Sequence, residues 1–334
     1  MSGIPGSRRY GRSVVIITLL LALFLLTGAG AYRLGLRCYP ALWGETGANP
    51  LGFFFPEPRW AVADEPLPLA ALPPLTSIFF SEGDLLCTNA YLLRLSDSGV
   101  LLDYDAGARV FPASLTKIMT ALVVIESGLD LDKPIVISAE TLQRLAAQDA
   151  STAGFLAGES VRARDLLYGA LLSSGAECSE ALALETAGSL SEFVQMMNTT
   201  AYRLGLTNTN FTNPTGLHSD DQFSSARDIA ELLRYALENE IFRSIFLTPE
   251  YISAPTNLRP QGLALQNRVT RYLDAALLPE IFGCKTGYTR QAGICLASYS
   301  ALGGEEYILV TLGAPRDAED AYFRDLNFVY QRIR

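Results

Sequence analysis

Ser114 and Lys117 are the first residues of this chain whose types and spacing indicate chemistry. They lie in the run Pro112–Thr120, and the apolar residues from Ile118 onward predict a buried helix that begins at or near Ser114. Residues three apart on a helix share a face, so the Lys117 amine should lie beside the Ser114 hydroxyl. A lysine held in its neutral form can take the proton of such a serine, which then becomes a nucleophile. Taken alone, Ser-x-x-Lys is more often a capping serine followed by a surface lysine.

Two later stretches complete a pattern with this pair. Ser174-Gly175-Ala176-Glu177 is predicted to end one helix before another starts, and Lys285-Thr286-Gly287 is predicted to lie on a strand. Each stretch has an ordinary interpretation by itself, as a helix cap and as a basic strand residue. Their order behind Ser-x-x-Lys, however, is the set of motifs found in penicillin-binding proteins and β-lactamases.

Six runs of the chain resemble the serine D-alanyl-D-alanine carboxypeptidases, the low-molecular-mass penicillin-binding proteins of peptidase family S11. The resemblance covers about residues 78–334 and implies an α+β fold of the β-lactamase/transpeptidase-like type, with an antiparallel sheet flanked by helices, an all-helical subdomain and the active site between them. The runs are Pro112–Thr120, Ala157–Val161, Asp165–Gly169, Asn213–His218, Ser225–Asp228 and Lys285–Gly293.

The resemblance also implies catalytic roles. Ser114 would be the nucleophile that is acylated, and Lys117 would be its base. Ser174 would relay protons from the facing wall of the site. Lys285 would add positive charge that favours the neutral form of Lys117, and it would help to hold the carboxylate of the substrate.

Substrate binding is implied at the third motif. The Thr286 hydroxyl would bind the substrate carboxylate, and Gly287 would let the peptide lie close along the strand edge. The backbone N–H groups of Ser114 and Tyr288 would form the oxyanion hole. Arg316 is a further candidate for holding the carboxylate, and an exposed surface arginine is the alternative interpretation. The resemblance implies no metal ion and no organic cofactor.

The second motif departs from the family pattern at Ala176. The family usually carries asparagine there, whose amide can hydrogen-bond the substrate and steady the lysine. The loss of a positioned hydrogen bond to a charged or reacting group costs about 1.5–3 kcal/mol, or about tenfold to a hundredfold in rate. Glu177 follows directly and is a candidate to compensate.

Composition and charge exclude several classes of function. The 334 residues are 49% hydrophobic, enough for one large or two modest domains. A formal net charge of -9 argues against a nucleic-acid partner, because no basic stripe is available to neutralise phosphates. The single histidine, His218, argues against a zinc peptidase. The five cysteines show no Cys-x-x-Cys spacing, and Cys284 and Cys295 are expected to be buried thiols.

The N-terminal part predicts export. Residues 14–31 form an uncharged apolar run behind Arg8, Arg9 and Arg12, which fits a transmembrane anchor or a signal peptide that is removed. Residues 33–76 are rich in proline, which is typical of a linker. We therefore expect a cytoplasmic stub and membrane segment at residues 1–32, the linker at 33–76 and a catalytic domain at 77–334, on the outer face of the bacterial cell membrane.

Periodicity within residues 77–334 predicts a strand pair, a helical block and a β-rich region in that order, which is an α+β plan. The strand pair is Ala90–Leu95 with Val100–Tyr104, and the helical block runs from Gly128 to Phe242 with one short strand at Pro134–Ser138. Later strands are predicted at Ile281–Tyr288, Ile294–Ser300 and Tyr307–Leu312, before a closing helix at Ala318–Ile333.

The function expected from the resemblance is a serine DD-carboxypeptidase that removes the terminal D-Ala from peptidoglycan stem peptides and that β-lactams inhibit covalently. A penicillin-recognising sensor with little turnover is the alternative that Ala176 favours. A β-lactamase is a weaker alternative, because the helical block contains no Glu-x-x-Leu-Asn run for fast deacylation.

Overall fold

The sheet at the centre of the fold is antiparallel throughout. This computed structural model describes residues 77–81, 83–267, 281–316 and 321–333. The strands of the sheet are β1 (Asn89–Arg94), β2 (Val100–Tyr104), β7 (Ile281–Thr289), β8 (Gly293–Leu302) and β9 (Glu305–Ala314). Within the described ranges these five strands pair in the order β2-β1-β9-β8-β7, so that the first hairpin joins the last strand of the later meander.

The helical block separates the two parts of the sheet in the sequence. Its helices are α1 (Thr116–Glu126), α2 (Ala139–Ala147), α3 (Ala163–Leu171), α4 (Ala176–Ala187), α5 (Leu190–Arg203), α6 (Ala226–Glu238) and α7 (Glu240–Phe246), and α8 (Ala321–Tyr330) follows the sheet. Two short two-stranded antiparallel sheets complete the fold: β3 (Pro134–Val136) pairs with β4 (Ser160–Arg162), and β5 (Glu250–Ile252) pairs with β6 (Ala264–Gln266).

Both faces of the sheet are covered, which explains why β1 is buried along its whole length. Successive side chains of a strand point to opposite faces. Tyr91 and Leu93 belong to the core shared with the helical block, whereas Ala90 and Leu92 belong to the core shared with Leu326 and Val329 of α8. The sheet therefore lies between the helical block and the closing helix, and the predicted α+β architecture is confirmed.

Helix α1 is the central helix of the block. Every residue from Thr116 to Ile125 is buried, as the apolar run predicts. The α-helix begins two residues after Ser114, because Ala113–Leu115 forms a 3-10 turn ahead of it. Three other helices of the block begin where serine side chains accept a hydrogen bond from a backbone N–H of the first turn: Ser138 for α2, Ser189 for α5 and Ser225 for α6.

Cys284 and Cys295 are buried and unpaired, as expected from the sequence. Burial raises the pKa of each thiol to about 12, so both are uncharged at neutral pH. They are therefore packing residues of β7 and β8.

The predicted membrane segment and linker lie outside the described residues. None of the helices in the described ranges is both long enough and apolar enough to cross a membrane.

Candidate active site

Ser114 and Lys117 lie side by side, as their spacing indicates. The Lys117 ammonium donates a hydrogen bond of 3.0 Å to Ser114 Oγ. Ser114 is half-buried and lines a cleft, whereas only 2% of Lys117 is exposed. An amine at this distance can take the proton of the hydroxyl once it is itself neutral, which is the arrangement of an activated nucleophile.

The turn that carries Ser114 is strained and tightly packed. Ala113 has a φ of +47°, a conformation that costs energy for any residue other than glycine. Two glycines press against this turn: a Cβ on Gly216 would lie 1.9 Å from the Ala113 carbonyl oxygen, and a Cβ on Gly287 would lie 2.9 Å from the Ser114 nitrogen. The close approach of two segments fixes the position of the serine.

Lys117 is also held by a backbone carbonyl. Its Nζ donates to the Thr215 carbonyl oxygen at 2.5 Å. Thr215 belongs to the Asn213–His218 run, which carried a family resemblance in the sequence but no role. A backbone acceptor has no side-chain signature, so only the folded loop reveals this contact.

Ser174 and Lys285 form a second pair that joins the helical block to the sheet. Lys285 Nζ donates to Ser174 Oγ at 2.9 Å and to the Thr286 carbonyl oxygen at 2.7 Å. Lys285 is 1% exposed, and Ser174 is buried with a φ of +60°. This second strained residue, like Ala113, lies at the site, where such strain is common.

The third motif occupies β7 next to the serine turn. Thr286 is half-buried and Gly287 is buried against Ser114. Tyr288 is 37% exposed, and the Arg316 guanidinium lies 5.1 Å from the centre of its ring. Arg316 is thus at the mouth of the site as well as on the surface.

A cleft of about 480 Å³ connects these elements. Of the site residues predicted from the sequence, Ser114, Lys117, Tyr288 and Arg316 line it, together with Ala176 of the second motif. The Gln148–Ser151 segment after α2 forms another part of the wall, which sequence reasoning did not identify. His218 also lines the cleft, with its ring edge-on to Phe111.

Glu177 does not replace the amide that Ala176 lacks. Its Oε1 accepts hydrogen bonds from the backbone N–H groups of Ala153 and Gly154, at 2.7 and 3.0 Å. It lines a separate cavity that is also bordered by Ile135. Adjacent residues at the start of α4 therefore face different ways, and Glu177 supports the cleft wall from behind.

Across the described ranges, no group of three or more His, Cys, Asp or Glu side chains is arranged to hold a metal ion. The charged side chains that line the cleft are Lys117, Arg290 and Arg316 with one carboxylate, Asp149. Lys285 lies buried behind them beside Ser174. The local charge is positive although the whole chain is acidic. Such a site suits a substrate that carries a carboxylate.

Sequence comparison finds relatives among the D-alanyl-D-alanine peptidases. A family model described as D-alanyl-D-alanine carboxypeptidase matches residues 83–316. D-alanyl-D-alanine carboxypeptidase DacF of Bacillus subtilis is 32% identical over 249 residues, which are 73% of this chain and 62% of the relative. DacC of Escherichia coli is 35% identical over 233 residues, 68% of this chain and 56% of the relative. The chain thus spans less than two thirds of the length of these two relatives.

Solved structures agree with the sequence matches. The Streptomyces K15 DD-transpeptidase superposes with a TM-score of 0.66 at 28% identity, over 75% of this chain and all of the other (100%). A D-alanyl-D-alanine carboxypeptidase from Mycobacterium tuberculosis superposes with a TM-score of 0.66 at 26% identity, over 78% and 94% of the two chains. The similarity therefore covers the sheet and the helical block together.

Proposed function

The chain belongs to the D-alanyl-D-alanine carboxypeptidase family, peptidase family S11, and we propose on that premise that it is a serine DD-carboxypeptidase that removes the terminal D-Ala from peptidoglycan stem peptides. The observation that carries the proposal is the 3.0 Å hydrogen bond between Lys117 Nζ and Ser114 Oγ in the wall of the cleft. A serine with a buried amine beside it is the pair that acyl transfer needs.

Acylation begins when neutral Lys117 takes the proton of Ser114 Oγ. The oxygen attacks the carbonyl carbon of the penultimate D-Ala, and the negative charge that forms on the carbonyl oxygen is held by the backbone N–H groups of Ser114 and Tyr288. The C–N bond to the terminal D-Ala then breaks, and the leaving nitrogen takes up a proton. The products are free D-Ala and an ester on Ser114.

The hydrogen bond from Lys285 to Ser174 supports the proton transfers. Ser174 can pass a proton toward the leaving nitrogen, and the charge on Lys285 favours the neutral form of Lys117. Water then attacks the ester carbonyl and gives a proton to Lys117. The Ser114–acyl bond breaks, and Lys117 returns a proton to Ser114 Oγ. The shortened peptide leaves with a new carboxylate, and Ser114 recovers its hydroxyl.

The terminal carboxylate of the substrate pairs with the cations at the β7 side of the cleft. Lys285 supplies buried charge and Thr286 supplies a hydroxyl donor, whereas the sequence expectation that Gly287 makes room for the peptide is corrected: the space beside Gly287 is filled by the Ser114 turn. Arg316 lies at the mouth and is placed to attract the carboxylate. A β-lactam presents a carboxylate and a reactive carbonyl in the same way, so it acylates Ser114 as an inhibitor.

The place of action is the extracytoplasmic face of the bacterial cell membrane, where peptidoglycan lies. The uncharged apolar run at residues 14–31, behind three arginines, supports an N-terminal anchor or a cleaved signal peptide. The catalytic domain at 77–334 would then follow a linker at 33–76.

A second candidate function is a penicillin-recognising protein that is acylated but turns over little. Ala176 favours it, because no amide at that position can orient the acyl group, and Glu177 faces away. The two functions differ in deacylation and share the acylation step.

The experiment is to incubate the full chain with a pentapeptide that ends in D-Ala-D-Ala and to measure released D-Ala over time. We expect many D-Ala molecules per enzyme, and none from the Ser114→Ala variant. Release limited to one equivalent would favour the sensor, and release by Ser114→Ala at the wild-type rate would refute the assignment.

A further inference from the structure

Asn213 lies in the loop that brings the Thr215 carbonyl to Lys117. We propose that Asn213 is a positioning residue for the reaction, which holds this loop so that the Lys117 amine faces Ser114. The inference rests on the proposed function, because it explains how the structure holds Lys117, the proposed base, in position. Asn213 itself would touch neither the substrate nor the reacting atoms.

The Asn213 side chain spans the whole turn. Its Oδ1 accepts hydrogen bonds from the Thr215 N–H at 3.1 Å, the Thr215 hydroxyl at 2.8 Å and the Gly216 N–H at 2.8 Å. Its Nδ2 donates to the Leu217 carbonyl oxygen at 2.9 Å. One amide thereby fixes the three residues that follow Pro214, which is an Asx-type turn extended by one residue.

The side chain of Gln222 holds the backbone at Asn213 in place. Gln222 Oε1 accepts from the Asn213 N–H at 3.1 Å and from the Thr212 N–H at 3.0 Å. Gln222 Nε2 donates to the Leu217 carbonyl oxygen at 3.3 Å, and only 2% of this residue is exposed. The conformation of the turn is therefore fixed by Asn213 and Gln222, independently of its contact with Lys117.

The turn also packs against the two segments that carry Ser114 and Lys117. The Thr120 hydroxyl, one turn along α1 from Lys117, donates to the Pro214 carbonyl oxygen at 2.7 Å. Gly216 has a φ of +79° and packs directly on the Ala113 carbonyl. A displacement of the turn thus moves the Ser114 turn and the acceptor of Lys117 together.

The orientation of Lys117 matters because a neutral amine has a single lone pair. That lone pair must face the Ser114 hydroxyl for proton transfer. The Thr215 carbonyl can only accept, so it takes an N–H of the amine and restricts how the amine rotates. A misplacement of about 1 Å can cost about a hundredfold in rate. Asn213 acts on catalysis through this carbonyl.

The test compares Asn213→Ala with Asn198→Ala in the full chain. Asn198 is a matched control, because its amide donates to and accepts from the backbone of Phe211, at 2.8 Å each, in the segment just before the turn. Stopped-flow acylation by a fluorescent penicillin gives the dissociation constant of the encounter complex and the first-order acylation rate separately. Thermal unfolding reports the stability of each variant.

We expect Asn213→Ala to lower the acylation rate by about tenfold to a hundredfold, with a dissociation constant within about threefold of the wild type. Asn198→Ala should keep the wild-type acylation rate although it loses two loop hydrogen bonds. Asn213→Ser should lie between the alanine variant and the wild type, because a serine hydroxyl forms the same kind of turn more weakly.

Equal acylation rates for Asn213→Ala and Asn198→Ala would overturn the positioning role while leaving the proposed function intact. Absence of acylation in the wild type would instead refute the proposed function. Should Asn213→Ala fail to fold, Asn213→Ser decides: a severalfold slower acylation at unchanged melting temperature supports the role, and a wild-type rate refutes it.

Discussion

Lys285 and Ser174 are 111 residues apart in the sequence, and Lys285 Nζ donates a 2.9 Å hydrogen bond to Ser174 Oγ. The bond crosses from the edge of the sheet to the start of α4. It connects the strand that we propose to bind the substrate with the wall that we propose to relay protons.

Ser174→Ala should therefore slow the reaction without unfolding the protein. Removal of a hydrogen bond to a charged group costs about 1.5–3 kcal/mol, which is about tenfold to a hundredfold in rate. The rates of acylation and D-Ala release measure the effect, and Ser173→Ala, the neighbouring half-buried serine, is the control. A Ser174→Ala rate equal to that of Ser173→Ala would exclude the relay.

Gly287→Ala should displace β7 from the serine turn. The added Cβ would lie 2.9 Å from the Ser114 nitrogen and 3.3 Å from the Pro112 carbonyl oxygen, so the backbone must move. We expect a loss of about 1–3 kcal/mol in the free energy of unfolding and slower acylation. Gly107→Ala is the matched control, since a Cβ added there would meet nothing within 4 Å. Wild-type acylation by Gly287→Ala would contradict the tight packing.

Ala176→Asn should raise turnover by about tenfold, since a new amide in the cleft can hydrogen-bond the acyl group. Ala176 lines the cleft, so the larger side chain extends toward the space that the substrate occupies. Ala176→Leu adds similar volume without an amide and separates hydrogen bonding from size. The steady-state rate of D-Ala release is the measurement, and equal losses in both variants would show that the cleft needs a small residue there.

Glu177→Gln tests the buried carboxyl behind the cleft wall. Burial raises the pKa of Glu177 above its ordinary value, although backbone N–H donors such as that of Gly154 act to lower it. A carboxyl whose pKa is higher in the folded state stabilises the fold below its unfolded pKa, and this stability is lost as the pH rises through the folded pKa.

The free energy of unfolding of the wild type should therefore fall relative to that of Glu177→Gln as the pH rises above the ordinary carboxyl pKa of about 4.3. Urea unfolding of both proteins from about pH 4 to about pH 8 measures this difference. A difference that is independent of pH would show that Glu177 does not titrate differently in the folded state.

Much of the architecture could be predicted because its signals are local. The strand pair β1 and β2 is indicated by two apolar runs around a polar turn, and helix α1 is indicated by the apolar run that follows Ser114. The short helix α7 and the strand β4 were not predicted, because segments of seven and three residues carry too little periodicity.

The site itself could be predicted only in part. The adjacency of Lys117 to Ser114 follows from helical spacing. The positive φ of Ala113 and the Thr215 carbonyl contact depend on packing between distant segments, which no local pattern encodes. The direction of the Glu177 side chain could not be predicted either. Ala176 lines the cleft, whereas the next residue of α4 points away from it and accepts hydrogen bonds from the Ala153 and Gly154 N–H groups.

Intact-mass spectrometry of the full chain after mixing with penicillin shows whether Ser114 is the nucleophile. We expect one added penicillin per chain, located on the Ser114 peptide after digestion, and no addition to Ser114→Ala. An adduct that persists in Ser114→Ala, or a wild-type chain that takes up no penicillin, would contradict this assignment.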